Sequence, residues 1–207
     1  MHPVCKEMSA YMKWLGLGIL AQAQKNAFYW DHPDTLDRGV FAILQAAHAS
    51  EILIKAAIAQ EHPLLIFSQI TKSSSTDGEL LSISDLLQSG KTIQYSELPE
   101  RLWTTTGFKL KELEVFQQFG KLRNTIQHFA LSKAVFGKET AEFIYKVIDP
   151  LISDFWGLYA VEYCDVDSPE DDMIEILIRT GVTYFRYPDR LAAQVKDALS
   201  KLDNSES

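Results

Sequence analysis

Arg123, Asn124 and His128 are the residues of this 207-residue chain whose types and spacing point most directly to chemistry. They stand in the stretch Gly120-Lys121-Leu122-Arg123-Asn124-Thr125-Ile126-Gln127-His128-Phe129. A guanidinium can clamp developing phosphate charge, an amide can orient a ligand, and an imidazole can take or give a proton near neutral pH. Helical spacing predicts one core-facing stripe of Val115, Phe119, Leu122, Ile126 and Phe129. Asn124 and His128, four apart, then point away from it together, with Arg123 and Gln127 on the flank.

A second group lies at 41–60, where 14 of 20 residues are apolar and a helix would be buried over most of its circumference. Gln45, His48, Glu51 and Lys55 interrupt it, and they share a narrow polar seam on the helical wheel. An unpaired carboxylate against hydrocarbon costs several kcal/mol, so the seam must be answered by something. Two readings stand. Glu51 and Lys55 satisfy each other as an i, i+4 pair on an exposed strip, in the favourable order. Alternatively the seam lines the cleft of Arg123 and His128, with Glu51 orienting the arginine or the imidazole, and Lys55 meeting a phosphate.

Arg123, Asn124 and His128 match, residue for residue, the R-x-x-x-x-H mark of the HEPN family, including the polar residue after the arginine. In this short motif and in helix order over residues 5–160 the chain resembles that family. The resemblance implies an all-α bundle with the motif late in a long helix, working as a homodimer. It implies metal-independent RNA cleavage without a cofactor, in a toxin or defence component that can have a cognate antitoxin or partner protein. His128 would act as acid or base and Arg123 as phosphate clamp, with Asn124 beside them and Glu51, Lys55 and His48 in support. One subgroup carries, two residues past the histidine, a tyrosine that a partner nucleotidyltransferase modifies. Ala130 stands there in this chain, which removes that mode of neutralisation. The alternative, from another functional class, is a catalytically silent binding or dimerisation module for a protein or nucleotide. A third is an antitoxin-like regulator acting through its acidic end.

The elements that must position these residues read as helices throughout, and no stretch alternates apolar and polar residues long enough for a confident strand. The first helix is expected over 4–29, ending before Pro33, and the second from 35–37 to 60, ending before Pro63. Residues 71–78 are small and polar and read as an exposed connection. Short helices are expected over 82–88 and 96–103, and long ones over 109–132 and 138–163 with Gly137 at their junction. Two long helices so joined pack antiparallel, giving an all-α antiparallel bundle over 1–163. Residues 164–207 form an acidic hinge and a helical appendage of the same domain, with helices near 170–180 and 188–202.

Composition bounds the remaining options. At 46% hydrophobic residues the chain can build a real core. Its net charge of −8 does not announce a broad nucleic-acid or anionic-membrane surface. Residues 162–207 alone carry 11 acids against 5 bases. Two cysteines, Cys5 and Cys164, suit neither a disulfide scaffold nor a cysteine zinc site, and point to a cytoplasmic setting. The longest unbroken apolar run, 14–21, is too short to span a bilayer, so no membrane segment is expected. The same run superficially resembles a signal peptide, but Glu7, two glycines and helical spacing that continues to Trp30 favour an amphipathic first helix. Asp165-Val166-Asp167 opens like a calcium loop but lacks the glycine and glutamate it would need. No metal site, P-loop, dinucleotide fingerprint or nucleophile elbow is present in the sequence.

Overall fold

The computed structural model describes residues 3–28, 38–70, 86, 89–129, 137–164 and 170–205. The expected boundaries at 29–37, the connection at 71–78, most of the short helix at 82–88, Ala130 and the acidic run 165–169 lie outside them. The fold is all-α. Its helices are α1 (Pro3–Phe28), α2 (Arg38–Glu61), α3 (Leu98–Thr106), α4 (Leu113–Phe129), α5 (Gly137–Phe143), α6 (Asp149–Trp156), α7 (Glu170–Arg179) and α8 (Ala192–Ser205). Among the described residues, β1 (Phe67–Gln69) and β2 (Lys91–Thr92) depart from the purely helical reading and pair antiparallel, with a register shift between Phe67 and Gln69. Three residues against two are too short for an alternating pattern to register.

The chain divides into two compact units, Met1–Trp14 with Glu51–Lys109, and Leu15–Ser50 with Leu110–Ser207. This partition differs from a bundle over 1–163 followed by an appendage. Residues of α1 and α2 contribute to both units, and α7 and α8 fall within the second.

In the first unit, α2 packs through Leu53, Ile54, Ala57 and Ile58, with Ile93, Leu98 and Leu102 also fully buried. Ser9 on α1 donates its hydroxyl to the Ala56 carbonyl at 2.9 Å, so a buried polar group is satisfied across the helix pair. As Pro63 requires, α2 stops at Glu61. His62 then caps the next turn, its Nδ1 accepting from the Leu64 N–H at 3.2 Å. The helix expected over 96–103 begins at Leu98, after a 3₁₀ turn in which Glu97 accepts from the Gln94 N–H. It closes at Gly107, where φ is 77°.

In the second unit, the Phe119 ring on α4 stacks on Phe143 of α5 at 3.8 Å between centroids. Phe116 also packs against Phe143, and Ile144, Ile148, Leu151 and Ile152 of the same unit are buried. The single helix expected over 138–163 is corrected in two places. A π turn at Ile144–Ile148 separates α5 from α6, directly ahead of Pro150, which lacks the N–H and has no room for the Lys146 carbonyl at ordinary helical spacing. The helix then ends at Trp156, because Gly157 adopts φ 64° and turns the chain into a 3₁₀ segment at Ala160–Glu162.

Two buried polar groups tie that segment down. Gln24 of α1 donates to the carbonyls of Ala160 at 2.8 Å and Tyr163 at 2.7 Å, and accepts from the Tyr145 hydroxyl. Asp149, fully buried, accepts from the backbone N–H groups of Ala160 at 2.8 Å and Arg186 at 2.9 Å. Burial pushes its carboxyl up to about 6, against those two N–H groups and the Arg186 charge, which pull it down.

By length and composition α2 could also cross a membrane, although polar residues break its apolar sequence into short runs; 67% of that stretch is buried inside the protein.

Candidate functional site

Helix α4 positions the motif. Its N-terminal half is anchored by Phe116, Phe119 and Gly120, and Ile126 anchors the second half. Asn124 and His128 are both exposed, while Arg123 is half-buried. The Arg123 guanidinium donates through Nη1 to Asn124 Oδ1 at 3.3 Å, a long hydrogen bond that draws the cation toward the face carrying the imidazole. A cation and an amide thus join on solvent-accessible helix surface in the second unit, with an exposed imidazole four residues beyond the amide on the same helix.

The core stripe expected for α4 is corrected at its end. Phe119 and Ile126 are buried and Val115 and Leu122 half-buried, but Phe129 is 78% exposed. At 100° per residue the buried arc is set by Phe116, Phe119, Gly120 and Ile126, and Phe129 falls about 80° to one side of Phe119. Phe129 is therefore an aromatic ring standing in solvent, not a member of the core stripe, and it directly follows His128 in the chain. The signal that could have found it is Phe116, whose position shifts the centre of the arc away from Phe129.

Glu51 and Lys55 lie in the first unit, and His48, which is exposed, in the second. Lys55 Nζ donates to Glu51 Oε1 at 2.7 Å and to Thr92 Oγ1 at 3.1 Å. The i, i+4 pair therefore forms, but on no exposed strip: Lys55 is only 5% exposed. Gln45, the other member of the seam, accepts from Asn26 Nδ2 at 2.7 Å.

Lys55 also lines a cavity of 680 Å³ in the first unit, together with Met8, Met12, Ile52, Ile66 and Phe67. The second unit has a smaller one of 380 Å³ beside Lys138 and Arg179. Among the described residues, no three His, Cys, Asp or Glu gather in a metal-binding group. No protein-family model, curated protein or solved structure matches the chain.

Proposed function

We propose that this protein is a metal-independent endoribonuclease of HEPN type, working as a homodimer and serving as a toxin or defence component. The observation that carries the reading is the joint exposure of Asn124 and His128 on one face of α4, with the Arg123 guanidinium hydrogen-bonded to Asn124. RNA brings its own nucleophile. A base removes the 2′-OH proton, the 2′-oxygen attacks phosphorus, and the bond to the 5′-oxygen breaks as that oxygen is protonated. The products are a 2′,3′-cyclic phosphate and a 5′-hydroxyl end. His128 serves as the base or the acid, each role worth about 10²–10⁴ in rate. Arg123 holds the charge that builds on the phosphorane. One motif supplies one imidazole for two proton transfers, so the second comes from a twin subunit across a twofold axis.

The test is incubation of the purified protein with total RNA, with and without a chelator. Cleavage is expected to persist in chelator, to spare DNA, and to be abolished by Arg123→Ala and by His128→Ala while helical content is retained. Cleavage that survives both substitutions undiminished ends the proposal. A folded protein that cuts no RNA under any condition leaves the binding-module reading in its place.

A further inference from the structure

The 680 Å³ cavity belongs to the first unit, and the motif on α4 to the second. Its volume falls within the roughly 300–1,000 Å³ of small-molecule pockets. Its walls are aliphatic, thioether and aromatic: Met8 and Met12 from α1, Ile52 from α2, and Ile66 and Phe67 from the chain after α2. Thr92 of β2 and the Lys55 ammonium supply the polar end.

Lys55 is the informative group, because a lysine that is 95% buried needs every one of its three N–H donors answered. Glu51 takes one and Thr92 takes a second. The third has no acceptor among the described residues. Glu51 already balances the ammonium charge, and Glu7, also on the lining, adds a second carboxylate. An anionic ligand would therefore face two carboxylates for one cation, whereas a neutral carbonyl would meet a donor without that repulsion.

We infer that this cavity is a binding site for a neutral, largely apolar small molecule whose carbonyl oxygen accepts the third N–H of Lys55. The apolar body occupies the Met8–Met12–Phe67 walls, where burying it from water supplies the affinity, and the hydrogen bond fixes which end enters first.

Three fluorescent dyes test this on the full chain: Nile red, neutral with a carbonyl; N-phenyl-1-naphthylamine, neutral without one; and 1-anilinonaphthalene-8-sulfonate, an anion. Both neutral dyes are expected to saturate at one site per chain and the anion to bind most weakly. Met12→Trp, which fills the cavity, should weaken both neutral dyes at least about tenfold. Lys55→Met should weaken Nile red about tenfold and leave N-phenyl-1-naphthylamine unchanged. Bound Nile red should emit to the red of its hydrocarbon value, as a hydrogen-bonded carbonyl requires, a readout on the unmodified protein that stands even where Lys55→Met fails to fold. Dye binding indifferent to Met12→Trp, tightest binding by the anion, equal loss of both neutral dyes in Lys55→Met, or hydrocarbon-like emission would each overturn the inference.

Discussion

The two phenylalanines of the expected α4 stripe have opposite fates, and they turn the corrected buried arc into a measurement. Phe119 is stacked on Phe143 inside the second unit, so Phe119→Ala should cost about 3–5 kcal/mol of unfolding free energy. Phe129 is 78% exposed, so Phe129→Ala should leave stability within about 0.5 kcal/mol. Denaturant titration of both variants decides whether the arc is drawn correctly; equal losses would restore Phe129 to the core. Because this exposed ring follows His128 directly in the chain, under the proposed function Phe129→Ala should also raise the KM for unpaired RNA by removing a surface on which a base can stack. Asn124→Ala belongs to the same scale. An amide that orients Arg123 transfers no proton, so under the proposed function turnover should fall without vanishing, whereas the Arg123 and His128 variants should lose it altogether.

At the scale of elements, Asp149 fastens the start of α6 to two segments distant in sequence, through the N–H groups of Ala160 and Arg186. Its carboxyl is raised from 3.8 to about 6 by burial, so the folded chain holds this proton more tightly than the unfolded one. The stabilisation from that proton is fully present below pH 3.8 and is lost as pH rises through about 6. Between pH 7.5 and 5.5 the native protein should gain about 1 kcal/mol from this group. Two charges also act on it: Arg186, paired with Asp154, pulls it down, and Glu162, paired with Arg190, pushes it up. Asp149→Asn should abolish that increment and lower stability at pH 7.5, since its amide NH₂ meets one of the two N–H donors head on. Subtracting the variant's pH dependence from that of the parent removes the background titration of other carboxylates. A difference of zero would mean that Asp149 titrates normally.

None of this clasp was legible in the sequence. Periodicity and prolines located α1, α2, α4, α7 and α8 to within a few residues, because those signals are local. The stop at Gly157 and the π turn ahead of Pro150 carry local signals, a glycine and a proline, that helical spacing alone passes over, whereas the burial of Asp149 depends on its partners Ala160 and Arg186. The same contrast holds for the candidate residues. The Glu51–Lys55 pair follows from a spacing of four, but the burial of Lys55 beside Thr92 depends on a β-pairing of two and three residues that no pattern announces.

For the whole molecule, the decisive quantity is the net charge of −8, which would oppose both steps of the proposed ribonucleolysis by a dimer. Two copies must approach each other against like charge, and a polyanion must then approach the pair. Salt acts on these steps differently. Screening weakens the repulsion between copies, so the dimer fraction should rise as sodium chloride increases from about 20 to 150 mM, where the Debye length falls to about 8 Å. The same salt weakens contacts between phosphates and a local cation such as Arg123, so RNA affinity should fall over the upper part of the range. Cleavage per chain is therefore expected to pass through a maximum with salt. It is also expected to rise faster than linearly with protein concentration wherever sedimentation shows mostly monomer. Both follow only if each productive site needs residues from two subunits. A rate strictly proportional to protein concentration through the monomer range, falling monotonically with salt, would place both proton transfers within one chain. His128 would then need a second acid or base from its own subunit, and the search for it would begin with the titratable groups nearest Asn124 on the exposed face of α4.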